Sequence, residues 1–288
     1  MRIGAKLPNS GPLPLEAGIP AMARTLEEAG YDSLWVADHV VLPREIRSRY
    51  PFAEDGRATW PTDTPYIDAL VALALAAAAT ERVRLGTAVL VLPMRNPVEL
   101  AKQAASIDVA SGGRLELGVG AGWLAEEFAA LNVPFERRGS RLEEWMAIAR
   151  ACWTGAPEAR ESDHYSLPAD VLCLPQPAHE IPLYVGGHSP VALRRAGRLG
   201  DGWLGQQSAL ALDPETLRAE IAAVAEAAGG APRRTVLRIV ESLGRPDVVA
   251  AKLGALAAAG VDEVIVDVPV EARAAERDLE ILRAGVRG

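Results

Sequence analysis

The sequence predicts an α/β protein built as a single (β/α)8 TIM barrel with two insertions, and three observations carry that reading. Short β-branched or apolar runs alternate regularly with longer, Ala-rich amphipathic segments, the pattern of parallel strands covered by helices. Eight such runs can be counted, the number that closes a barrel. The 288 residues also suit one barrel of about 250 residues carrying insertions. A doubly wound open sheet is the alternative fold.

In chain order, strands are predicted at residues 2–7, 33–37, 83–91, 114–119, 182–185, 202–204, 235–240 and 263–267, the sixth being the weakest. Helices are predicted between them at 20–30, 66–80, 97–110, 141–153, 190–199, 214–228 and 247–259. Gly30, Gly200 and Gly260 each follow an apolar-periodic segment, where a helix end is expected to need a left-handed residue. Two stretches break the rhythm. Residues 40–65 carry Pro43, Pro51, Pro61 and Pro65, and residues 154–181 carry Pro157, Pro168, Pro175 and Pro177 with room for a hairpin. Long irregular excursions commonly serve as lids or binding loops. The first leaves the C-terminal end of a strand, where barrel active sites lie, and is the better candidate to cover a substrate.

Composition narrows the function. Hydrophobic residues make up 49% of the chain, too many for a disordered protein. The net charge is −8, with no Lys/Arg-dense block, so nucleic acid is not an expected partner. Cys152 and Cys173 are far apart in sequence and read as two reduced thiols. The chain starts without a stretch apolar enough for a signal peptide, and its longest uncharged apolar run, 69–79, is too short to cross a bilayer. A cytoplasmic protein acting on a small molecule is expected.

Three local patterns can carry chemistry. Asp38 and His39 close the second predicted strand, facing a barrel mouth. An imidazole can pass a proton at neutral pH, and an adjacent carboxylate can orient it; the ordinary alternative is a polar strand end with Asp38 capping the next loop. Gly118, Gly120, Ala121, Gly122 and Trp123 form a strand running into a glycine turn. It lacks the spacing of a dinucleotide fingerprint, which leaves close backbone contact with a cofactor ring, or tight strand-to-helix packing. Val185, Gly186, Gly187, His188, Ser189 and Pro190 end a strand and start a helix. Ser189 fits the N-cap and Pro190 the first helical position, so the free N–H groups there suit a phosphate. The four histidines show no metal-binding spacing, and no metal is expected. Arg44, Arg47 and Arg49 cluster in the first insertion, either simply solvated or meeting an anionic tail.

Taken together, these segments resemble the luciferase-like monooxygenase family over nearly the whole chain. The matching stretches are EAGYDSLWVADH at 28–39, TERVRLGTAVL at 80–90, RNP at 95–97, SGGRLELGVGAGW at 111–123, VGG at 185–187 and ALRRAGRLGDGW at 192–203. The resemblance implies a barrel that binds the deazaflavin coenzyme F420, or alternatively FMN, at its C-terminal mouth, and an oxidoreductase activity. It implies that His39 serves in proton transfer with Asp38 beside it. Ala88 and Val89 match the place of a non-proline cis peptide bulging against the ring. Gly120, Ala121 and Gly122, and Val185 to Ser189, match cofactor-contacting segments, the latter near the phosphate. A homodimer is implied as well. Tyr66, and the stretch around His164, Tyr165 and Ser166, depart from the family pattern where the substrate pocket is expected. With FMN the reaction would be oxygen activation. A nicotinamide dehydrogenase and a cofactor-binding barrel without turnover are the remaining alternatives.

Overall fold

The computed structural model describes residues 1–287 apart from 54 and 59. Among them, eight parallel strands close into a barrel in the order β1-β10-β9-β8-β7-β4-β3-β2. The barrel strands are β1 (Arg2–Lys6), β2 (Ser33–Val36), β3 (Arg84–Val91), β4 (Leu115–Gly120), β7 (Leu183–Gly186), β8 (Gly202–Ser208), β9 (Arg234–Val240) and β10 (Glu263–Asp267). The open-sheet alternative is thereby excluded. Each predicted strand is found, most of them shifted by one residue. The sixth is longer than its apolar run, because its polar end, Gln206 to Ser208, pairs with Arg238 to Val240 of β9.

Helices α2 (Ile19–Ala29), α3 (Ala69–Ala79), α4 (Pro97–Ser111), α6 (Arg138–Trp153), α7 (Pro190–Leu199), α8 (Pro214–Ala227) and α9 (Pro246–Ala259) lie between the strands as expected, with short pieces α1 (Leu13–Glu16) and α5 (Ala125–Ala130). α3 begins three residues later than expected because the Asp68 side chain accepts from the N–H groups of Leu70 and Val71, a cap that fixes the first turn. A last helix, α10 (Ala272–Arg287), was not anticipated. It buries Ala275, Leu279 and Leu282, an apolar stripe at helical spacing, with Asp278 beside them. Gly30 and Gly260 adopt the left-handed conformation expected of them, with φ of 98° and 105°. Gly200 does not: its φ is −87°, and a Cβ there would stand 2.8 Å from the carbonyl oxygens of Ala196 and Gly202. Close backbone approach, not handedness, calls for glycine at that helix end.

The main core lies between barrel and helices, and a second cluster fills the barrel itself with Trp35, Tyr184, Leu204, Val236 and Ile265. Below it, at the N-terminal end, Glu263 accepts from Ser33, from Arg2 at 3.0 Å and from Arg234 at 2.7 Å, while Glu116 is held by Arg84. The second insertion contains the anticipated hairpin, β5 (Arg160–Glu161) against β6 (Ser166–Leu167). It also brings together the two cysteines, which remain free thiols as expected. The Cys173 thiol contacts that of Cys152, whose ionisation burial pushes up to about 12, so thiolate is scarce and the pair is chemically quiet. No helix of the described residues is long and apolar enough to cross a membrane.

Candidate active site

Strand alternation decides what reaches the mouth. The peptide between Ala88 and Val89 is cis, as the resemblance implies, and the pairing of β3 with β4 shifts register between Thr87 and Leu90. Both side chains cap the inner cluster of Trp35, Tyr184, Leu204, Val236 and Ile265. Val89 is seated between two strands: a Cβ on Gly120 would meet its Cγ2 at 2.7 Å, and one on Gly186 its Cγ1 at 2.9 Å. These two glycines therefore make room for Val89, and the apolar platform is built by the bend they accommodate. Val185 does not face the mouth at all. It is fully buried in the outer core, since its neighbours Tyr184 and Gly186 take the inward positions. Ala121 is half-buried against the same core, and Gly122 packs against Val91 and Phe128.

His39 stands at the rim with a side chain 10% exposed, its Nδ1 3.0 Å from Oε2 of Glu127. The other oxygen, Oε1, accepts from the N–H groups of Val40 at 2.6 Å and Val41 at 3.2 Å. A carboxylate anchored in this way takes a proton donor at Nδ1, which leaves Nε2 of a neutral His39 as the open position. Four aromatic side chains crowd the imidazole and one another. Trp60, Tyr66 and Trp123 lie 6.0, 5.2 and 6.2 Å from His39 between ring centroids, and Tyr50 packs edge-on against Trp60 and Trp123. Tyr50 and Trp60 belong to the first insertion, so that segment does cover the mouth. Its position is fixed by Glu126, which accepts from the N–H groups of Arg47 and Ser48 and from the Ser48 hydroxyl at 2.7, 3.0 and 2.6 Å. In the expected arginine cluster, Arg47 pairs with Glu45 on the surface.

Asp38 is not the group that orients His39. Its Oδ2 accepts from the Val91 N–H at 2.9 Å and its Oδ1 from Arg95 at 2.6 Å. Burial pushes its carboxyl above the ordinary range while Arg95 and the Val91 amide oppose the rise. It ties the end of β2 to the segment just beyond the cis bend. Sequence reasoning missed Glu127, which lies 88 positions from its imidazole. The adjacent acids after Trp123, at the start of a short helix, were the available signal.

The helix start after β7 is capped as expected, with the Ser189 hydroxyl accepting from Ala192 N–H at 3.2 Å. His188 is fully engaged: Nε2 accepts from the Gln206 N–H at 2.9 Å, and Nδ1 lies 2.7 Å from Glu220. Both ring nitrogens of His188 are thus engaged, and what the helix start leaves to a phosphate are its backbone amides and the Ser189 O–H. Three buried polar atoms here lack partners: Trp60 Nε1, Gln206 Nε2 and Glu220 Oε2. Among the described residues, no group of three or more metal-ligating side chains converges.

A parallel barrel with an apolar platform and a carboxylate-held histidine at its C-terminal mouth defines a class of ligand-binding barrels whose chemistry sits at that end. Within it the chain belongs to the luciferase-like monooxygenase family, whose model matches residues 8–242. An uncharacterised protein of Mycobacterium tuberculosis is 38% identical over 183 residues, 64% of this chain and 63% of that protein. The chain thus spans under two thirds of that relative's length. A second uncharacterised protein of the same organism is 31% identical with 86% of each chain covered. An F420-dependent glucose-6-phosphate dehydrogenase of Amycolatopsis mediterranei is 34% identical over 62% of this chain and 50% of its own. Among solved structures, the F420-dependent tetrahydromethanopterin reductase of Methanopyrus kandleri superposes with a TM-score of 0.72 at 19% identity, covering 99% of this chain and 98% of its own. The monooxygenase RslO1 of Streptomyces bottropensis gives 0.73 at 20% identity, with 100% and 98% covered. These two likenesses confirm the barrel fold.

Proposed function

We propose that this chain is an oxidoreductase using coenzyme F420, transferring a hydride to or from a small organic substrate, with FMN as the alternative cofactor. The observation that carries the reading is His39, whose Nε2 is left open by the Glu127 contact beside the Ala88–Val89 platform. The aligned segment of the F420-dependent glucose-6-phosphate dehydrogenase supports the choice of cofactor.

The residues present fit such a group. A flat ring needs an apolar support, which Ala88 and Val89 supply above the inner cluster. Its polar edge needs a donor, and Trp60 Nε1 is a buried donor without a partner. A phosphate would be held by the backbone amides at the start of α7. The nearby Glu220 carboxylate, held by His188, discourages a larger anion there. When bound, the deazaflavin supplies the hydride chemistry. The chain's own part is to exclude water with Tyr50, Trp60 and Trp123, and to hold or release a proton at His39 Nε2. Glu127 keeps the tautomer that makes this possible.

Titration of the protein with F420, FMN and NADPH, followed by cofactor absorbance and tryptophan fluorescence, tests the reading. F420 is expected to bind and quench Trp60 and Trp123. Binding of FMN alone would transfer the assignment to the oxygen-using alternative, and binding of NADPH alone would overturn both.

A further inference from the structure

The barrel mouth has two unlike halves. On β3, β4 and β7 it is apolar, formed by Ala88 and Val89 with Gly120 and Gly186 behind them. On β8, β9, β10 and β1 the inward positions toward the mouth are Gln206, Arg238, Asp267 and Lys6, with Gln206 opposite Arg238 and Lys6 opposite Asp267. The proposed proton carrier, His39, follows β2, between the two halves.

The polar half is short of negative charge. Lys6 Nζ donates to Leu7 O and to Asn9 Oδ1, both at 3.0 Å, which satisfies two of the three N–H bonds of an ammonium. Asn9 also bonds the backbone N–H and C=O of Ala37 at 3.0 and 2.8 Å, so Lys6 is tied close to the His39 corner. Arg238 donates to the carbonyls of Ile239 and Ile265 at 2.6 and 3.3 Å and to Asp267. Two cations therefore share one carboxylate. The other nearby acid, Glu241, is exposed at the end of β9 and bound by Ser208. Burial pulls the Lys6 amine down to about 7, Arg238 adds to the fall and Asp267 opposes it. Desolvated cations without matching anions are costly. The contrast with the other end of the barrel is instructive. There Arg2, Arg84 and Arg234 also outnumber Glu116 and Glu263, but their side chains are 27%, 35% and 31% exposed, and water meets the excess; Arg238 is 8% exposed. Gln206 adds a buried Nε2 donor with no partner.

We propose that Lys6, Arg238 and Gln206 form a subsite for a carboxylate group of the substrate. A carboxylate supplies the one missing charge and acceptors for the open donors. A phosphate, with about −1.5 to −2 charges at neutral pH, overshoots it. Calling the ligand a substrate rests on the proposed function; the anion site itself does not.

Calorimetric titration with benzoate and with benzamide, at pH 8 in buffers of differing ionisation heat, reads both affinity and proton uptake. Benzoate is expected to bind about ten-fold tighter than benzamide, with uptake of close to one proton as Lys6 becomes charged. Lys6→Met should lose both the preference and the uptake, while Lys6→Arg should keep the preference without the uptake. Equal affinities, no benzoate binding, uptake that persists in Lys6→Met, or tighter binding of inorganic phosphate than of benzoate would each overturn the proposal. F420 titration of the same variants keeps the two readings apart. A wild-type protein that binds no cofactor but prefers benzoate would lose the redox assignment and keep the carboxylate site.

Discussion

Two histidines at the mouth are built alike and left in opposite states. His39 lies against Glu127 and His188 against Glu220, each through Nδ1, at 3.0 and 2.7 Å. The difference is at the far nitrogen. Nε2 of His188 accepts the Gln206 backbone N–H at 2.9 Å, which spends the lone pair that proton transfer needs. Among the described residues no backbone N–H donates to Nε2 of His39, and its ring faces Trp60, Tyr66 and Trp123 instead. A histidine–glutamate pair is therefore not itself a proton-transfer device; the occupancy of the second nitrogen decides.

The largest expected effect separates the two rings directly. His39→Ala should lower turnover about 10²- to 10⁴-fold with cofactor affinity changed much less. His188→Ala should leave turnover within a few-fold and lower stability by about 1–2 kcal/mol, because Gln206 N–H loses its acceptor. A steady-state comparison with a denaturation curve for each variant checks both. Next comes Glu127→Gln, which keeps the shape but not the charge that fixes the imidazole. Turnover should fall about 10- to 100-fold, and a pH–rate profile should move with it. Asp38→Asn should act through Arg95 and the Val91 amide, which it holds. The expected result is a loss of about 1–3 kcal/mol of stability, read by denaturant melts, with activity falling in step with the folded fraction.

The smallest effect concerns the opposite side of the mouth. Folded Lys6 loses its proton near pH 7, against 10.5 in the unfolded chain. Between these values the unfolded chain holds more protons, so stability rises with pH across that window and the penalty is complete below it. Lys6→Met should accordingly gain about 1–2 kcal/mol at pH 6, shrinking toward nothing near pH 10.5. Melting curves across the range measure it.

The barrel was legible in the sequence because every strand but the sixth is a compact apolar run punctuated by glycine or proline. His39 stood out by its place at the end of the second strand, whereas the cis bend at Ala88–Val89 came from matched motifs alone. What escaped was carried by contacts distant in sequence. Glu127 meets His39 across 88 positions, and Val89 reaches between Gly120 and Gly186 on two other strands. Asp38 was misread because adjacency in the chain suggested contact with His39, whereas its carboxylate bonds Arg95 and Val91. Lys6 looked like a strand end; only barrel closure sets it beside Arg238 and Asp267. The helix α10 is legible in its apolar positions Ala275, Leu279 and Leu282.

Long-range ¹H–¹⁵N correlation of the imidazole nitrogens, recorded on uniformly labelled protein before and after addition of F420, tests the central distinction most directly. Both His39 and His188 should carry a proton on Nδ1, with F420 shifting the Nε2 signal of His39 and leaving that of His188 in place. A His39 that carries its proton on Nε2, or a cofactor response confined to His188, would contradict the assignment.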